Sequence, residues 1–126
     1  MADATDEVVG AAMDGTAALL AVLLGWLDRF SEWEPNRRPK LVRLLTFADV
    51  VGYFAASHPG DPVITGGALL RQAHPGGALV FQVFLDRADG LCVDRDGRPY
   101  GRVIVAERLD SELAEKFADV DLIVFR

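Results

Sequence analysis

The sequence predicts a single α+β domain: a long N-terminal helix, a mainly antiparallel sheet of four to six strands, and two shorter helices packed on one face of it. Three observations carry this. Apolar residues crowd residues 5–33 at helical spacing. From Gly66 onward the pattern changes to short apolar runs separated by Gly, Pro and Asp turns. A capped amphipathic stretch then precedes a last apolar run at 121–125. With 126 residues, of which 51% are apolar and 25% charged, the chain has the size and composition of one folded core.

The domain 1–126 divides into an N-terminal helix within 1–33, a linker at 34–40 and an α+β body at 41–126. In the helix, Thr5 is the expected N-cap, with Asp6 and Glu7 in the first turn, where the helix dipole favours acids. Glu7, Ala11, Asp14, Ala18, Ala21, Gly25, Asp28 and Glu32 form one acidic or small stripe. The remaining circumference is apolar, wider than the stripe a surface helix needs. Two readings follow: the helix threads the middle of its own domain, or part of its surface is buried by a second chain, most simply a two-fold copy; the second is favoured, with Leu19, Leu20, Leu23, Leu24, Trp26, Leu27 and Phe30 as the expected contact surface.

"EPNRRPK" at 34–40 reads as the linker. Arg37, Arg38, Lys40 and Arg43 are the one cationic cluster, and a solvated loop paired with local carboxylates is the expected reading of it. "LVRLL" reads as a short strand at 41–45, with a single helix from Lys40 as the alternative. Thr46 with Asp49 has capping-box spacing and starts a helix from Phe47 to about Ser57. "GALLRQ", "GALVFQVFLD", "GLCVD" and "RPYGRVIVAER" are the expected strands, with Asp96-Gly97 the strongest hairpin signal. Asp110 caps the helix "SELAEKFAD". "DLIVF" closes the sheet and, as an apolar strand, is expected in its interior or covered. The expected core is Leu23, Trp26, Leu27, Phe47, Val51, Phe54, Leu79, Phe81, Val83, Val103, Val105, Phe117, Leu122 and Val124.

Nineteen acidic against thirteen basic residues give a net charge of −6, which disfavours phosphate backbones and anionic lipid. No nucleic-acid or membrane partner is expected. The acidic N-terminus and an apolar stretch too short for a bilayer point to a soluble, cytoplasmic chain. The single Cys92 excludes an intramolecular disulfide and is expected to be a buried, inert thiol.

The only two histidines, His58 and His74, each begin a His-Pro-Gly triplet. With Asp61 or Asp49 they could form a metal site, but Pro fixes φ and Gly permits positive φ, so each triplet suffices as a turn. Independent turns are the expectation. "DRDG" at 94–97 starts like a calcium loop, yet its twelfth position, counted from Asp94, is Val105 where a carboxylate is required. The stretch "CVDRDGRPYGRVIV" resembles the hairpin that ends a CBS domain and the central hairpin of roadblock-like proteins. That resemblance implies a hairpin and assigns no ligand residue. No nucleophile elbow and no phosphate-binding glycine loop is present, and carboxylate pairs such as Asp94 with Asp96 sit in turns where water screens them.

The expected function is a non-catalytic interaction module, an adaptor or regulatory subunit, with no cofactor. The alternative is a small-molecule-binding or metal-dependent enzymatic domain, with a pocket near His58 and His74 and Tyr53 as a further polar contact.

Overall fold

A computed structural model describes residues 13–28 and 39–125, with side chains from Ala18 onward. The elements are α1 (Met13–Asp28), β1 (Lys40–Leu45), α2 (Phe47–Ala56), β2 (Ile64–His74), β3 (Gly77–Asp86), β4 (Gly101–Leu109), α3 (Ser111–Phe117) and β5 (Leu122–Phe125). Among the described residues, three helices and a five-stranded, mostly antiparallel sheet make the fold α+β. The ends expected for the first helix, 5–12 and 29–33, lie outside the described residues. So does most of the 34–40 linker, whose last residue, Lys40, belongs to β1.

The strand order is β1-β4-β3-β2-β5. β2, β3 and β4 form an antiparallel meander, β1 joins β4 in parallel, and β5 joins β2 antiparallel. The connections through α2 and α3 both cross the same face. There Val50, Leu113 and Phe117 pack on Leu69, Val80, Ile104, Ala106 and Ile123. On the opposite face Leu19, Leu23 and Leu27, one helical turn apart along α1, pack on Leu70, Phe81, Val83, Val103, Leu122 and Val124. Alternation along β5 explains its lack of a polar face: Leu122 and Val124 serve one layer, Ile123 the other.

Local chemistry sets the helix starts. Thr46 accepts from the Asp49 N–H at 3.0 Å while Asp49 accepts from the Thr46 N–H at 3.3 Å, a complete capping box. Asp110 serves two helices. Its Oδ1 accepts from the Leu113 N–H at 2.8 Å, capping α3, and its Oδ2 accepts from the Phe47 N–H at 3.3 Å in the first turn of α2. Its own N–H donates to the Leu45 carbonyl at 3.0 Å.

β5 takes the second of its two expected places: it is an edge strand, and Leu122, Ile123 and Val124 are covered by the two helical layers. Several expectations are corrected. "GLCVD" makes only isolated bridges, Leu91 to Leu85 and Val93 to Pro99, in an arm between β3 and β4. Val51 is 45% exposed, because Val50 takes the inward position of α2. Trp26, Phe47, Phe54 and Leu79 are half-buried at the margins of the two layers. The predicted stripe Ala18, Ala21, Gly25 and Asp28 does face outward.

Candidate functional site

Among the described residues, concave surfaces lie on both faces of the sheet. The first is a groove of about 680 Å³ between α1, the far end of β2 and the α3–β5 turn. Leu20, Leu24, Leu70 and Val120 supply its apolar surface, with Arg71, Asp119 and Asp121 around it. Arg71 is already engaged: its Nε donates to Asp121 Oδ1 at 3.0 Å, and its guanidinium lies 4.5 Å from the Phe117 ring centroid. Asp119 and Asp121 are exposed, which leaves the groove apolar with acidic neighbours.

The expected contact surface is thereby split. Leu19, Leu23 and Leu27 are buried against the chain's own sheet and cannot meet a partner. Leu20, Leu24 and Trp26 stay half-buried, and Val22 is 47% exposed. Phe30 lies outside the described residues. Sequence reasoning counted apolar residues around the helix but had no means of telling which of them the sheet would take.

The second surface is a cavity of about 290 Å³ on the other face, between the C-terminal half of α2 and the start of β2. The pairing of β2 with β3 shifts between Ile64 and Gly66, so Thr65 is an extra residue and the strand bends there. Gly67 follows, where a Cβ would collide with the Phe54 ring. This close approach lets Phe54 lie against the strand, 5.3 Å from the Phe84 centroid and 5.1 Å from that of Phe125. His58 meets Phe84 edge-on at 5.8 Å. The bulge, the glycine and the aromatic cluster were not read from the sequence; Gly66-Gly67 just before an apolar strand was the available signal.

The histidines do not converge. His58 bonds the Ile64 carbonyl at 3.2 Å, whereas His74 ends the same strand, roughly 30 Å away at about 3.3 Å per residue. The pocket expected near both His58 and His74 thus has only His58 in its wall. Each triplet is a turn built the same way: His58 Nδ1 accepts the Gly60 N–H and His74 Nδ1 accepts the Gly76 N–H, both at 2.9 Å. Asp61 is likewise used locally, its Oδ1 accepting the Val63 N–H at 3.0 Å. No group of three or more His, Cys, Asp or Glu side chains able to hold a metal occurs among the described residues. Lys40 and Arg43 are exposed on β1, and Arg37 and Arg38 lie outside the described residues.

The carboxylates of the arm are also occupied. Asp86 Oδ1 accepts the N–H groups of Ala88 and Gly90, and Asp94 Oδ1 those of Asp96 and Arg98. They shape turns. Cys92 is half-buried and not fully buried as expected; burial, and then the nearby charges of Asp86 and Asp61, push its thiol pKa up, which keeps it protonated and unreactive.

A polar bridge ties α2 to the sheet. Gln82, fully buried on β3, donates from Nε2 to the Val50 carbonyl at 2.9 Å and accepts from Arg102 Nε at 2.8 Å. The Arg102 guanidinium lies 4.1 Å from the Tyr53 ring centroid, and its buried Nη2 has no hydrogen-bond partner. Burial pulls its pKa below the ordinary value, opposed by Tyr53 and Asp49. Gln82→Leu should therefore cost about 2–4 kcal/mol, since it strands two partners in the interior. Arg102→Met should also destabilise, by about 1–3 kcal/mol, because it leaves the buried Gln82 Oε1 without its donor even though it removes the unpartnered Nη2. Denaturant titration of the two single variants and the double variant checks this; a double variant whose loss equals the sum of the two single losses would show that the bridge is not coupled.

No helix among the described residues is long and apolar enough to cross a membrane. No protein-family model, curated protein or solved structure matches the chain.

Proposed function

We propose that the chain is a non-catalytic protein–protein interaction module, an adaptor or regulatory subunit in the cytoplasm, whose contact surface is the outward flank of α1. The observation that carries this reading is the surplus of apolar surface on one helix. Leu19, Leu23 and Leu27 already satisfy the core, Leu20 and Leu24 remain half-buried in the wall of an open groove, and Val22 is exposed on the other flank of the helix. Apolar side chains grouped beside a concave surface are the ordinary material of a protein contact. The engaged histidines and carboxylates support a binding role over a catalytic one, and the net charge of −6 supports a protein partner over a nucleic acid.

The first partner to test is a second copy. Light scattering coupled to size exclusion at high micromolar concentration should give a dimer mass, and Leu20→Asp with Leu24→Asp should return the monomer without changing the circular dichroism. A wild-type monomer at that concentration would remove the homodimer. A dimer that survives both substitutions would place the contact elsewhere.

A further inference from the structure

We propose that the cavity between α2 and the β2 bulge is a binding site for a compact, uncharged aromatic molecule, of the size of a fused bicyclic ring. It lies on the face of the sheet opposite α1 and is independent of the interaction surface described there.

Size, wall chemistry and charge all point to this class. A cavity of about 150 Å³ lined by apolar side chains takes benzene, so the 290 Å³ here has room for a second fused ring. The wall is three phenylalanine rings, Phe54, Phe84 and Phe125, with Val51 and His58. The T-shaped contact of Phe54 with Phe84 and the tilted contact of Phe54 with Phe125 leave ring faces and edges at different angles. Such a cluster favours another aromatic ring, through offset and edge-to-face contacts, over a flexible aliphatic chain.

Both ring nitrogens of His58 are engaged within the chain. Its Nδ1 accepts the Gly60 N–H, which fixes the hydrogen on Nε2, and Nε2 donates to the Ile64 carbonyl. The imidazole therefore offers the cavity its ring carbons. Among the described residues no Lys or Arg side chain lines the cavity, so an anionic ligand would be desolvated there without a counter-charge. Thr65 and Gly66 in its wall lie beyond the last β2–β5 pair, Gly67 with Phe125.

The test uses the full chain and indole as the probe, with indole-3-carboxylate as its charged analogue, followed by two-dimensional amide NMR. Saturable indole binding is expected, with shifts centred on Val51, Phe54, Thr65, Gly66, Gly67 and Phe84. Binding of the carboxylate should be at least tenfold weaker. Val51→Trp, at a partly exposed position in the wall, should fill the cavity and weaken indole binding at least tenfold, while Asp28→Asn, at an exposed position on α1, should leave it unchanged. If Val51→Trp fails to fold, Thr65→Trp, also in the wall, serves the same purpose. The proposal is overturned by absence of saturable indole binding at millimolar concentration, by shifts centred on another surface, by equal affinity for the carboxylate, or by indole affinity unaffected in the folded tryptophan variant.

Discussion

Deleting residues 121–126 is expected to leave the chain unfolded or insoluble. The segment contains all of β5, whose Leu122, Ile123 and Val124 are buried and divided between both layers. At about 1.5–3 kcal/mol for each fully buried aliphatic side chain, their loss alone removes roughly 5–9 kcal/mol, comparable with the whole stability of a small domain. Removal also uncovers Leu69, Leu70 and Phe117, and opens the backbone of β2 from Gly67 to Leu70, an edge available to other chains. Circular dichroism and a thermal melt of the truncated chain decide the matter. A native-like spectrum with a cooperative melt would show the strand to be peripheral.

Phe117→Ala should destabilise by about 3–5 kcal/mol, the range for an aromatic ring removed from a packed interior. The ring is fully buried at the end of α3, in the layer that joins α3 to the sheet, and Arg71 stacks on it. The substitution would take away packing and one of the two partners that hold Arg71 beside Asp121. Phe117→Leu keeps much of the volume and should cost distinctly less. Urea denaturation of both variants provides the comparison, and equal, small losses would contradict the packing described.

The sequence was most legible where structure is decided locally. The Thr46–Asp49 box, the Asp110 cap and the Asp96-Gly97 turn each need only three or four neighbouring residues, and each is present. The break at Thr46, inferred because the apolar pairs drift off the helical period, falls between β1 and α2. Strand order was not legible. An apolar run such as "DLIVF" reads the same at an edge sandwiched by helices as in the sheet interior, because periodicity reports burial and not neighbours. For the same reason "GLCVD" at 90–94 reads as a strand although it makes only isolated bridges, and Val51 reads as a core residue although one residue of rotation on α2 puts it outside.

The candidate cavity was the least legible feature. It depends on Phe54, Phe84 and Phe125 meeting at a glycine, and these residues come from three elements far apart in the chain. Gln82 escaped notice for a related reason: a glutamine in an apolar run looks like the polar side of a strand, and only the tertiary structure shows its two buried partners.

The strand order also bears on how the chain reaches its native state. β2, β3 and β4 are neighbours in both sequence and sheet, joined by the two-residue turn at 75–76 and the arm at 87–100, whereas β1 and β5 must return from the two ends of the body. The bond from Phe47 to Asp110 spans 63 residues, and such closures lose entropy before any contact compensates for it. The outer strands should therefore dock last and detach first. Opening β5 would uncover the adjoining length of β2, opening β1 that of β4, and in either case the exposed backbone could pair with another molecule before it closes again. Native-state hydrogen exchange reads this order directly, with the amides of β3 expected to be the slowest to exchange.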